Sequence, residues 1–229
     1  MLKLFAKNIW IADGGEVSVI GFQYPTRMAV IKLSDGTLFI WSPTALTENL
    51  RAEIETLGTV QHIVAPNSLH HLFLNDWVTQ YPDAKVYAPP GLRQKRQDIN
   101  FDADLGDAVP EAWAKDMDQV LVRGNVITTE TVFFHIESRT VLFTDLIQHY
   151  GPDHFTGWRA VAAKLDLMTA PHPAVPRKFR IAFTNRKAAR TALEHIFTWP
   201  AEQVVMAHGP LIAADGKAFI ARTFDWLMT

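Results

Sequence analysis

The sequence predicts an α/β sandwich in which two mixed β-sheets pack face to face with helices on their outer surfaces. Three observations predict it. Apolar runs of strand length recur along the chain, helical spacing interrupts them only in defined blocks, and the order that results is β-rich, αβαβ, β-rich, αβα. No internal repeat, low-complexity tract or linker divides the 229 residues, so one domain over 1–229 is expected.

The first forty residues read as strands. Trp10-Ile11-Ala12 leads into a turn at Asp13-Gly14-Gly15, and Val17 to Phe22 then alternates. Met28 to Leu33 and Thr37 to Trp41 flank Ser34-Asp35-Gly36, whose Asp-Gly step marks a hairpin. A first helix follows, with Ser42 or Thr44 as its cap and a body near Glu48 to Leu57. Leu46, Leu50, Ile54 and Leu57 recur there at helical spacing, and Gly58 suits the residue past its end. Val60 to Ala65 reads as a buried strand, Leu69 to Gln80 as a helix and Lys85 to Ala88 as a strand stopped by Pro89-Pro90-Gly91. Asp98 to Asp118, rich in Asp, Gly and Pro, reads as irregular. Val120 to Arg123, Val126-Ile127, Val132 to Ile136 and Thr140 to Thr144 form a second group of strands. A helix over Thr184 to Phe197, a strand at Val204 to Ala207 and a helix over Asp215 to Leu227 complete the chain.

Composition excludes several functions. A formal net charge of −2 argues against a whole-surface affinity for nucleic acid or anionic membrane. The basic clusters around Arg93 to Arg96 and Arg177 to Arg190 then read as solvated helix faces. No run approaches the ~18 apolar residues of a membrane span, and Met1 to Phe5 lacks the apolar block of a signal peptide. Cysteine is absent, which removes disulfides, thiolate nucleophiles and thiolate-held metals and agrees with a cytoplasmic protein. Any metal must be held by the nine histidines and the carboxylates. There is no phosphate-binding loop, dinucleotide fingerprint or serine-hydrolase elbow.

Four ionisable residues stand where apolar strands end. His70 and His71 follow Val64-Ala65-Pro66-Asn67-Ser68-Leu69, Asp145 follows Val141-Leu142-Phe143-Thr144, and His208 follows Val204-Val205-Met206-Ala207. Adjacent residues on a helix point ~100° apart, so both imidazoles reach one site only from the turn before the helix. Asn67 or Ser68 suits the cap of that turn. Three imidazoles and a carboxylate make a donor set for one zinc, iron or manganese ion. A metal-free hydrogen-bonded network of the same four side chains is the alternative, and for the histidine pair so is one ring in the core with the other in solvent. His135, within Phe133-Phe134-His135-Ile136, reads as a core or sheet-face residue, and His149, His154 and His172 read as loop residues.

The order strand–His–helix, strand–Asp and strand–His-Gly resembles the metallo-β-lactamase superfold, an αββα four-layer sandwich. More narrowly, the chain is similar to the DUF4336 family built on it. The matching segments are Ala65 to His71, Tyr81 to Leu92, Arg123-Gly124-Asn125, Phe143-Thr144-Asp145 and Ala207-His208-Gly209. The superfold's metal motif, His-x-His-x-Asp-His, falls on Pro66, Ser68, His70 and His71, and its next histidine falls on Asn125. The resemblance therefore implies that the first metal's three histidines are missing. The second metal's set survives as His70, His71 and His208, with Asp145 in the place of the bridging carboxylate.

The expectation is a reduced, mononuclear metal-dependent hydrolase acting on a small-molecule ester, lactone or phosphoester. His70, His71 and His208 are the expected metal ligands, Asp145 is a ligand or the group that orients the attacking water, and Asn67 and Asn125 are candidates to support the ligands from behind. A non-catalytic binding or scaffold protein of the same fold, with a structural metal or none, is the competing expectation.

Overall fold

The computed structural model describes residues 1–229. The strands are β1 (Lys3–Ala6), β2 (Ile9–Val19), β3 (Phe22–Lys32), β4 (Leu38–Trp41), β5 (Val60–Val64), β6 (Lys85–Ala88), β7 (Ala103–Asp104), β8 (Met117–Val122), β9 (Glu130–His135), β10 (Thr140–Gln148) and β11 (Gln203–His208). The helices are α1 (Glu48–Glu55), α2 (Leu74–Gln80), α3 (Leu92–Lys95), α4 (Trp158–Leu165), α5 (Arg177–Ala182), α6 (Arg186–Thr198) and α7 (Gly216–Met228).

Two mixed sheets result. The seven-stranded sheet runs β1 to β7 in chain order, antiparallel as far as β4 and parallel from β4 to β7. The four-stranded sheet has the order β11-β10-β9-β8, with β10 parallel to β11 and antiparallel to β9. The period-2 alternation of a strand divides the side chains between layers. Ala29, Ile31, Phe39, Trp41 and Val64 of the first sheet meet Phe133, Leu142, Val205 and Ala207 of the second in the central core. Their neighbours Val30, Ile40, Ile63 and Val86 face α1 and α2. On the far side Phe134, Val141, Phe143, Val204 and Met206 face α5, α6 and α7. The layers are thus αββα, the predicted fold class. No helix is long and apolar enough to cross a membrane.

Several elements differ from the expectation, each for a physical reason. Asp13-Gly14-Gly15 is not a turn, because β2 runs through it with an irregular register between Asp13 and Glu16. A Cβ on Gly14 would collide with Thr26 and Thr44, so glycine lets the backbones approach there. The hairpin turns instead at Ile20-Gly21, both at positive φ (49° and 77°). Thr47, not Ser42 or Thr44, caps α1, its hydroxyl accepting from the Leu50 amide at 3.2 Å. Helix α2 begins at Leu74 rather than Leu69, because Asn67 accepts from the amides of Leu69 (2.8 Å) and His70 (3.2 Å) and holds that stretch as a turn. Val126-Ile127 is not a strand, and the short α3, α4 and α5 were not anticipated.

Candidate metal centre

Three side chains converge where β5, β10 and β11 end. His70 lies on the turn after β5, Asp145 within the last residues of β10 and His208 at the end of β11. One ligand atom from each lies within 4.8 Å of the others. His70 Nε2 is 3.1 Å from Asp145 Oδ2, and His208 Nε2 is 3.4 Å from Asp145 Oδ1. They form the floor of a groove of about 670 Å³.

Hydrogen bonds behind the imidazoles orient both rings. The Ser42 hydroxyl lies 3.0 Å from the Arg27 carbonyl and 2.7 Å from His70 Nδ1; when its one hydrogen goes to the carbonyl, the imidazole donates Nδ1–H to the hydroxyl. His208 Nδ1 is 3.0 Å from the Pro25 carbonyl, which can only accept. In that arrangement each neutral ring turns its Nε2 lone pair toward the same carboxylate. Like charge density meets there unless a cation lies among the three atoms or both rings are protonated. Two imidazolium rings with centroids 5.2 Å apart would repel each other. One divalent cation relieves every contact, and donation of the far nitrogen to a carbonyl or hydroxyl is the usual support of a metal-binding histidine. Ser42 performs this at φ 55°, in the left-handed region that non-glycine residues rarely adopt.

Asp145 is held from its other side. Asn67 Nδ2 donates to its Oδ2 at 2.7 Å and to Thr144 Oγ1 at 2.8 Å. Burial pushes the Asp145 carboxyl up, and charged, donating His70 and His208 rings would hold it well below the usual carboxylate range, the part that a cation among the three atoms would otherwise play. Glu130 was not anticipated as a site residue. It is fully buried, and its oxygens accept from the amides of Thr144, Asp145 and Leu146 at 2.7, 2.8 and 3.0 Å, which fixes the backbone that carries Asp145. Burial, and then the charge of Asp145, pushes Glu130 up to about 7. A glutamate inside Thr-Thr-Glu-Thr-Val, where strands disfavour it, was the available signal. Nothing in the sequence marked Ser42, Pro25 or Arg27.

The structure does not bring His71 into this cluster. Arg96 Nη1 donates to His71 Nδ1 at 3.0 Å and to its carbonyl at 2.8 Å. The imidazole therefore carries its hydrogen on Nε2, and neither nitrogen offers a lone pair to a metal. Burial, then Lys95 and Arg96, lowers His71 to about 4, so the ring stays neutral. It lines the groove as a hydrogen-bond donor. Asn125 is also directed elsewhere: it donates to the Phe179 carbonyl at 2.9 Å and accepts from the Ile127 amide at 3.0 Å. Of the two asparagines, only Asn67 touches the trio. His135 pairs with Ser138, His149 with the Ala170 carbonyl and His154 with the Gln23 carbonyl, while His172 is exposed.

Comparison with known proteins bears on the fold. Over its whole length the chain is similar to solved metallo-β-lactamases. The DIM-1 enzyme, whose crystals were exposed to ceftazidime, shares 14% identity at a TM-score of 0.68, over 99% of this chain and 95% of that one. FIM-1 from Pseudomonas aeruginosa, solved in a mono-zinc form, shares 11% at 0.64, over 100% and 96%. The metal-soaked Flv1 flavodiiron core from Synechocystis sp. PCC6803 shares 12% at 0.68, over 100% of this chain and 60% of that one. Likeness at such identity carries the fold and nothing finer. No curated protein matches the sequence. Residues 6–155 match the model of a domain of unknown function, DUF4336. On that match the chain belongs to the DUF4336 family, and its fold is that of the metallo-β-lactamases.

Proposed function

We propose that His70, Asp145 and His208 hold one zinc, iron or manganese ion and that the protein is a metal-dependent hydrolase of a small-molecule ester, lactone or phosphoester. One observation carries the reading. Two imidazoles, each with an oxygen against its Nδ1, aim their Nε2 atoms at one buried carboxylate in the lining of an open groove. A nitrogen–oxygen donor set of this kind suits all three metals. Bound there, such an ion would lower the pKa of a coordinated water toward ~7 and supply hydroxide at neutral pH.

The exclusion of His71 favours catalysis over a structural metal. Four protein ligands would close a tetrahedral zinc, whereas three leave a position for water or substrate. The chain's own residues then divide the remaining work. Asp145, kept ionised, serves as ligand and orients the attacking water through its second oxygen. Gln148 lies beside it and lines the groove, and its buried Oε1 has no partner. His71 offers its Nε2 hydrogen to a substrate oxygen. In an ester, water adds to the carbonyl carbon, the carbon–oxygen bond breaks and the leaving alkoxide takes the proton.

The test is metal content. Protein purified without a polyhistidine tag should carry about one equivalent of metal, lost in His70→Ala and in His208→Ala and retained in His71→Ala. Absence of bound metal after reconstitution with zinc, iron or manganese would sink the proposal. Metal bound with four protein ligands and no water would favour a structural site instead.

A further inference from the structure

The groove above the trio has walls that its floor does not explain. One wall is the tip of the β2–β3 hairpin, with Val17, Val19, Ile20 and Phe22; the other is Leu69, Leu72 and Ile127. Met168 and Phe179 also line it. The charged lining residues away from the trio are already engaged. Lys178 lies 3.2 Å from Asp166 and packs over the Tyr24 and Phe179 rings, and Lys95 donates to the Ser68 carbonyl at 2.9 Å. Polar groups free to meet a ligand are gathered at the floor, around His70, His71, Asp145, Gln148 and His208.

The rim is apolar where a soluble surface would be polar. Ile20 is 91% exposed, Leu72 53%, Val19 48% and Ile127 42%. Ile20 is also a β-branched residue at φ 49°, on the turn position that asparagine or glycine fills at little cost. A strained side chain that buries nothing contributes no stability to the free protein, and such strain is characteristic of residues that clamp a ligand. Phe22, two residues on, packs edge-on against Phe155 (5.4 Å) and Trp158 (5.6 Å), which holds the hairpin over the groove.

We infer that the groove takes an aliphatic chain, so that the substrate is an amphiphile whose hydrocarbon lies between the hairpin and the Leu69–Leu72–Ile127 wall and whose single polar end reaches the trio. This rests on the hydrolase reading for the chemistry at the floor, but not for the binding along the walls. The argument from chemistry is complementarity. A peptide brings an N–H and a C=O per residue and a sugar brings hydroxyls, and each group left unpaired against these walls would lose its hydrogen bonds to water without replacement. An alkyl chain brings none. The volume of about 670 Å³ is that of a small-molecule site and accommodates a chain with a compact head.

The experiment separates the two readings by using chelator-treated protein, in which binding is measured without turnover. Butanoate, hexanoate, octanoate and decanoate, each below its micellar concentration, are titrated by calorimetry. Affinity should rise with each added methylene by up to about 4-fold, the equivalent of ~0.8 kcal/mol per buried CH2. Val19→Asp and Ile127→Asp sit on opposite walls at exposed positions, so both should fold. Each should weaken decanoate about 10-fold or more and leave butanoate unchanged. A flat chain-length series, or decanoate binding that ignores both variants, overturns the inference. So does a reversible dimer that Ile20→Asp abolishes and decanoate does not dissociate, since the rim would then belong to a second copy of the chain. A rising series in a protein that never binds metal would retain the chain-binding groove and refute the hydrolase, and metal-dependent cleavage of short esters with a flat series would do the reverse.

Discussion

Ser42 offers the cleanest perturbation of the candidate metal centre. In the metal-binding arrangement both histidines of the trio donate Nδ1–H to an oxygen, but His208 uses the Pro25 carbonyl, which no substitution removes. His70 uses the Ser42 hydroxyl at 2.7 Å, which Ser42→Ala deletes at a stroke. Two consequences follow. The buried Nδ1 hydrogen loses its acceptor, which costs about 1–3 kcal/mol if nothing replaces it. The ring also loses what fixes its tautomer, and removing such a partner typically lowers metal affinity by about 10–100-fold, or ~1.4–2.7 kcal/mol. Because Ser42 sits at φ 55°, alanine inherits the same backbone strain, and Ser42→Gly relieves it while deleting the same hydroxyl. The pair therefore separates the hydrogen bond from the backbone. Competition titration of zinc against a chromophoric chelator should show both variants binding one equivalent with a dissociation constant raised about 10–100-fold. Urea unfolding of the metal-free forms should rank glycine above alanine. An affinity within about threefold of the parent in both variants would refute the assignment of the His70 proton, and with it the argument that a lone pair faces Asp145.

The other predictions concern burial and charge. His62 is 6% exposed in the central core, 3.2 Å from the Tyr87 hydroxyl, and burial lowers it to about 4 from the ordinary 6.5 of an imidazole. The unfolded chain then binds the extra proton first, so this contribution to stability is complete above pH 6.5 and is lost as pH falls toward 4. The loss is roughly 2 kcal/mol at pH 5 and ~3.4 kcal/mol below pH 4. Urea titrations of His62→Gln should lack this component, and a variant whose stability tracks the parent across that window would refute it. Asn67→Asp keeps the oxygen that accepts from Leu69 and His70 but replaces the donor to Asp145 with a second carboxylate, beside buried Glu130. An uncompensated buried charge costs about 3–5 kcal/mol, so this isosteric change should lower the thermal midpoint of the metal-free protein sharply. Zinc should recover part of the loss, and a midpoint within a degree or two of the parent would count against Asn67 as the group that holds Asp145.

What was legible in the sequence followed from periodicity, and what was not followed from direction. Apolar runs of strand length such as Met28 to Leu33 and Thr140 to Thr144 marked strands, and the period 2 of a strand then divides their side chains between layers. Gly14-Gly15 misled because two glycines suit a turn and a close backbone approach equally well, and only the neighbouring Thr26 and Thr44 decide between them. The same holds at the site. Residue order could place His70 and His71 at the mouth of a sheet but could not say which would point inward. That choice is made by the Asn67 turn and by Arg96, 25 residues beyond His71.

The positions where the superfold's other ligands would fall complete the argument, because each is occupied by a contact that closes the structure. The Pro66 carbonyl accepts from the Thr131 amide at 2.8 Å, the Ser68 hydroxyl meets Thr128 at 3.3 Å, and Asn125 ties its loop to Phe179. The strand entry that carries Glu130 is thus joined to the turn that carries His70, where a first metal would otherwise have linked them. Under the proposed function these contacts would brace a single-metal centre on His70, Asp145 and His208 where the other ligands are missing.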